Sequence, residues 1–253
     1  MNRLVTTLLI FLLAALPASA EMLEVIEVAR QLGMSDAAIE RVKNGEVVVE
    51  ELEASSEKDL SIALVARLDV PLQEVFEFVR SDRFVEISDV TISSGPIDTS
   101  TFSMAGLTLP DDVLRQLVKD PEETFQLSAP ELDRVSKAAE GGEAKALDAY
   151  REVLSDRARA YWQQGLAGID PYVGKGRSPA LDLENANTAA KQIIQNPAVL
   201  TALEVVPVDH SGPAEHSLVW AVQKGRDRAA PVLSHRILYA ENDGEILIER
   251  RFY

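Results

Sequence analysis

The residues from Leu60 to Val79 constrain the fold of this chain more than any other stretch. Leu60, Ile62, Leu64, Ala66, Leu68 and Val70 alternate with Asp59, Ser61, Ala63, Val65, Arg67 and Asp69. A period of two is the signature of a β-strand with one buried face. Pro71 ends that pattern, because it has no N–H to give to a central ladder. The same residue suits the first turn of a helix, where the N–H would lack an intrahelical partner anyway. Leu72, Val75, Phe76 and Val79 follow at the spacing of an amphipathic helix. The sequence thus predicts a long strand running directly into a helix that packs on a sheet.

The chain of 253 residues carries 41 acidic against 25 basic side chains, a formal net charge of −16. Such a surface repels nucleic acid and anionic lipid head groups, so neither is an expected partner. With 46% apolar residues the chain can bury a sizeable core. Met1–Ala20 has the parts of a secretory signal: Arg3, the apolar run Leu4–Leu16, and Ala18-Ser19-Ala20 as an A-x-A cleavage site. The run falls short of the roughly 20 residues that a spanning helix needs. The chain contains no cysteine, hence no site for a lipobox anchor and no disulfide. The expected destination is periplasmic or secreted, with no transmembrane segment after signal cleavage.

Residues 21–253 are expected to form a single domain. The lead-in at 21–58 contains a helix capped by Ser35 and stopped by Gly45, then a strand from Val47 to Leu52. Residues 59–109 hold the strand–helix unit, short alternating pieces at Val85, Ile87, Val90 and Ile92, and a loop from Ser93 to Ser103. Residues 110–203 form a helical block. Asp111 and Asp112 suit the positive end of its first helix. Ser128-Ala129-Pro130-Glu131 is a capping box for the next. Glu143–Gln164 is the longest helix, striped by Leu147, Tyr150, Leu154, Ala158 and Tyr161, and Gly165 terminates it. Further helices are expected between Leu183 and Leu203.

The remainder, 204–253, is β-rich. Leu218, Trp220 and Val222 alternate, and Val232–Ala240 and Glu245–Tyr253 make a hairpin about Glu241-Asn242-Asp243-Gly244. Closing the turn over those four residues sets Arg236 against Glu249 and His235 against Arg250. Closing it over Asp243-Gly244 alone would set Arg236 against Arg251, which is unfavourable. Either register places Leu233, His235, Ile237, Tyr239, Ile246, Ile248, Arg250 and Phe252 on one face. That face is apolar apart from His235 and Arg250, and polar groups at core positions need partners. They are tied down by protein groups or they line a cavity. The pattern is still that of a strand at Tyr253, which suggests either the last strand of a sheet or a piece of a longer protein.

The run Ala66-Arg67-Leu68-Asp69-Val70-Pro71-Leu72-Gln73-Glu74-Val75-Phe76-Glu77-Phe78 resembles the opening of START-like (SRPBCC, helix-grip) domains, in which a strand ends in a Pro that starts the first helix. The resemblance implies an antiparallel sheet wrapped around a long helix, often enclosing an apolar ligand. Set against that family, the block at 110–203 is an insertion and the closing C-terminal helix is missing. Ser234-His235-Arg236 and Glu249-Arg250-Arg251-Phe252-Tyr253 are also similar to a group of uncharacterised exported bacterial proteins, a likeness that implies no activity. The expected fold class is therefore α+β, an antiparallel sheet with a large helical block.

Three function classes remain. The first is a non-catalytic protein that binds a small, mostly apolar ligand through His235, Arg250, Trp220 and Tyr239. The second is a cell-envelope protein–protein interaction module. A hydrolase ranks last. His210 and His216, beside Asp209 and Glu215, read as solvated loop histidines, since no metal-ligand spacing accompanies them. No G-x-S-x-G elbow occurs, and Ser234 and His235 point to opposite faces of a strand. Gly174-Lys175-Gly176-Arg177-Ser178 lacks the spacing of a phosphate-binding loop. Tyr150, Tyr161, Trp162 and Trp220 read as core. No catalytic residue, metal or cofactor is expected.

Overall fold

The computed structural model describes residues 9–14, 30, 34–52, 61–65, 70–81, 88–173, 214–225, 228–241 and 244–252. The chain is an α+β protein. In order, its elements are β1 (Leu9–Ala14), α1 (Asp36–Lys43), β2 (Val48–Leu52), β3 (Ser61–Val65) and α2 (Leu72–Arg80). Next come β4 (Thr91–Ile97), α3 (Asp111–Lys119), α4 (Pro121–Thr124), α5 (Ala129–Ala139) and α6 (Glu143–Gln164). The chain continues through β5 (Glu215–Lys224), β6 (Ala229–Glu241) and β7 (Gly244–Phe252). The strands form a five-stranded sheet in the order β1-β7-β6-β5-β4 and a two-stranded sheet of β2 and β3, all antiparallel.

Local chemistry explains several boundaries. Ser35 caps α1 by accepting from the Ala38 N–H at 3.2 Å, and Gly45 follows the helix at φ +83°. Pro71 lies just outside α2, one residue before the position expected for it. Of the long strand expected over 60–70, the structure shows Ser61–Val65; positions 66–69 lie outside the described residues, as do the expected elements at Val85, Ile87 and Leu183–Leu203. The Ser128 N–H donates to Glu131 Oε2 at 2.7 Å, the return half of the expected capping box. Gly165 adopts φ +65° and ends α6.

Ser93–Ile97, read from sequence as a loop, belongs to strand β4. Its Gly and Pro argued against a strand, yet both fit an edge. Gly95 lies directly opposite Trp220, where a Cβ would approach the indole to 2.9 Å. Pro96 is tolerated because an edge strand has one side with no ladder to complete. Ile92 is the extra residue between the pairs Thr91–Gln223 and Ser93–Val222, so it bulges outward.

Helices and sheet share one core. Val113 and Leu117 of α3, Val135 of α5, and Tyr150, Val153, Leu154, Ala158 and Tyr161 of α6 cluster with Leu218, Trp220 and Val222 of β5 and Leu233 of β6. The opposite side of the sheet is also buried at Val219, Ala221, Val232, Ser234, Arg236 and Leu238. A smaller cluster of Met34, Ala38, Ile39, Val42 and Val48 holds α1 on β2.

Two arginines of α6 tie the helical block together. Arg151 donates from Nε and Nη2 to the Leu107 carbonyl at 2.9 and 2.7 Å, fixing the segment that follows β4. Arg157 is buried and donates to Glu131 Oε2 at 2.6 Å and to the Gln126 carbonyl at 2.9 Å, with the Tyr172 ring 5.1 Å away. Nearby, burial pushes the Tyr150 hydroxyl well above the usual phenol range. A long charged side chain on the apolar stripe of α6 was not anticipated; its partners come from α5 and the turn before it.

Two stability outcomes follow. Gly95→Ala should overpack against Trp220 and cost about 1–3 kcal/mol in urea unfolding. Glu131→Ala should cost roughly 3–5 kcal/mol, because it strands the buried Arg157 charge. A loss below ~1 kcal/mol in the second case would show that Arg157 reaches water.

Candidate functional site

The β6–β7 ladder runs His235 against Arg250, Arg236 against Glu249 and Tyr239 against Ile246. This is the register set by the favourable Arg236–Glu249 pairing, and the ladder continues to Glu241 and Gly244. The β5–β6 ladder sets Leu218 against His235 and His216 against Ile237. His216 and His235 are therefore diagonal neighbours on the helix-facing side, within reach of long side chains.

Their rings meet. His235 is fully buried, at 0% exposure. Its Nδ1 lies 2.8 Å from the Tyr161 hydroxyl, and its Nε2 lies 3.1 Å from His216 Nδ1. The Tyr161 and His235 rings are edge to face, with centroids 5.5 Å apart. Trp162 stands edge to face with both imidazoles, its centroid 5.5 Å from His235 and 6.3 Å from His216. Tyr161 and Trp162 occupy the last turn of α6, the end of a helix that carries partial negative charge.

The group is a short column that leads from the core outward. Tyr161 and His235 are buried, whereas His216 and Trp162 are half-buried. The exposure pattern along β5 explains the gradient: Glu215 and Ser217 are exposed, and the strand is continuously buried only from Leu218 to Val222. His216 marks the rim of the covered face. Beside it, Glu215 receives two hydrogen bonds from Arg80 of α2, at 2.9 and 2.8 Å. Those bonds hold the Glu215 carboxyl below the usual carboxylate range.

The four residues singled out from sequence fall as follows. His235 is at the centre of the column, engaged by protein groups at both ring nitrogens. Arg250 is its cross-strand neighbour by register, and Tyr239 lies farther along β6 on the same face. Trp220 shares that face but is a core side chain lodged against Gly95 and Gly106.

His216 was missed. The expectation of a solvated loop histidine is corrected: it lies in β5 and hydrogen-bonds to His235. The signal was present in the alternation of His216, Leu218, Trp220 and Val222, but Gly212 and Pro213 suggested a loop extending past it. His210 and the Gly174–Ser178 segment lie outside the described residues. Among the described residues no group of three or more His, Asp or Glu side chains is placed to hold a metal ion.

The column can be tested as a unit. Tyr161→Phe and His235→Leu should each destabilise the protein by about 1–3 kcal/mol, since each leaves a buried polar atom without a bond it makes now. The double variant should cost less than the sum of the two, by roughly 0.5–3 kcal/mol in a double-mutant cycle. Simple additivity would mean that the two side chains do not interact. Compared with protein-family models, with curated proteins and with solved structures, the chain matches none.

Proposed function

We propose that this chain is an exported, non-catalytic binding protein that takes a small, mostly apolar ligand at the rim of the helix-facing side of the sheet. Trp162 supplies the aromatic surface, and His216 with the Arg250 position of β7 supplies the polar end. The observation that carries this reading is the Tyr161–His235–His216 column beside a half-buried indole. A hydrogen-bonded polar series under a helix costs desolvation that an apolar core would avoid. It orients the outer imidazole, as a binding group needs. His235 serves as the support of His216 rather than as a ligand contact, because its two nitrogens already face Tyr161 and His216.

Export rests on the leader-like composition of Met1–Ala20. Leu9–Ala14 pairs with β7 from Glu249 back to Gly244, so removal of the leader would leave β7 as an edge of the sheet. The START-like resemblance of residues 66–78 points to the same ligand class. A second reading, an interaction module of the cell envelope, is favoured by one observation. Val47, just before β2, and Val49, the second residue of that strand, are 62% and 58% exposed.

Native mass spectrometry of the full chain, expressed with its leader and recovered from a periplasm, separates the two. The binding reading expects a retained small molecule, lost on denaturation and lost in Trp162→Ala and Arg250→Leu. A clean apo mass from a folded protein would refute it and favour the interaction module.

A further inference from the structure

Val47, Val48 and Val49 form an unbroken apolar run at the start of β2. Neighbouring residues of a strand face opposite ways, so such a run belongs to a strand covered on both sides. Here one side is covered. Val48 is 1% exposed and packs with Met34, Ala38, Ile39 and Val42, which hold α1 against it. Val47 and Val49, on the other side, are the two most exposed large apolar side chains among the described residues. β2 pairs with β3 over Val48–Leu52, and among the described residues no strand pairs with its other edge.

We propose that the outer edge of β2 accepts an extended segment of a basic partner protein, in which aliphatic residues alternate with Lys or Arg. The added strand exchanges backbone hydrogen bonds with the edge and lays its aliphatic residues beside Val47 and Val49. The alternate residues, facing the other way, are free to be basic. This partner deepens the interaction reading of the Val47–Val49 surface and rests on it.

Charge selects the occupant. From Met34 to Glu53 the chain carries six acidic and two basic residues. Both bases are already engaged, Arg41 with Glu46 at 2.8 Å and Lys43 with Glu40. The run Glu46-Val47-Val48-Val49-Glu50-Glu51-Leu52-Glu53 contains no base. A second copy would bring the same acidic run and the same net charge of −16, so self-pairing sets like charges together. Anionic lipid and nucleic acid are repelled for the same reason. Charges at a sheet edge ordinarily keep stray strands away. Charges of one sign turn away acidic strands and admit basic ones.

Calorimetric titration of the full chain with three capped peptides tests the edge: Val-Lys-Val-Lys-Val-Lys-Val, Val-Glu-Val-Glu-Val-Glu-Val and Gly-Lys-Gly-Lys-Gly-Lys-Gly. The expected result is saturable binding of the Val-Lys peptide, weakened by added salt, with the other two bound far less well. Amide hydrogen exchange over Val48–Leu52 should slow when that peptide is bound. Val47→Ser combined with Val49→Ser should weaken binding about tenfold or more, the worth of one buried aliphatic side chain. Both side chains are exposed, so the variant should keep the wild-type circular dichroism. Three results would overturn the proposal: no binding of the Val-Lys peptide, equal binding of the Gly-Lys peptide, or an unchanged affinity in the double Ser variant. Self-association of the chain in sedimentation, abolished by the same variant, would also overturn it, since a second copy would then be the occupant. Failure of the interaction reading itself shows elsewhere, as a small molecule retained in native mass spectrometry.

Discussion

A fully buried imidazole is tolerable only when both of its nitrogens are answered, and His235 sets that condition at the centre of the fold. One nitrogen requires a group from the layer above the sheet, and α6 provides Tyr161. The other requires a group on the same face of the neighbouring strand, and the β5–β6 register provides His216. Sliding either strand by one residue would send these side chains to the opposite face. Rotating α6 by a fraction of a turn would withdraw the phenol. The column therefore specifies helix rotation and strand register together, which apolar contacts alone define less sharply.

The acidity of the chain has a structural side. Several of its basic side chains are engaged in ties within the protein: Arg157 to Glu131 and Gln126, Arg151 to Leu107 and Asp148, Arg80 to Glu215, and Arg134 and Arg159 to Asp156. Arginines held in this way contribute little free positive surface. The excess carboxylates on α3 and α4 face water, where they add to solubility without entering the site.

Much of the architecture could be read from local chemistry. Ser35, Gly45, Ser128 with Glu131, and Gly165 mark helix ends through short-range hydrogen bonds and backbone preferences that a sequence displays directly. The hairpin register was legible because one pairing sets Arg236 against Glu249 and the other sets it against a like charge. β4 was not legible, since Gly95 and Pro96 break a strand pattern unless Trp220 and a free edge are known to lie beside them. The site was half legible. His235 stood out as a polar residue on an apolar face, but its partners are Tyr161, far earlier in the chain, and His216, hidden behind a Gly-Pro pair. No periodicity connects three residues that only tertiary packing brings together.

The distribution of contacts along the chain also sets an order of assembly. The ties of the helical block join residues close in sequence: Glu131 to Arg157, Gln126 to Arg157, Leu127 to Val173. The β4–β5 ladder joins Ile97 to Leu218, and β5 must pair with β4 across the whole of that block. Closing the longer loop costs more chain entropy and is slower. The helices thus offer a formed surface before the last strands arrive, and the imidazole pair comes into being only with that final closure. Because Trp162 lies against both rings, its emission is a natural clock for the closing step.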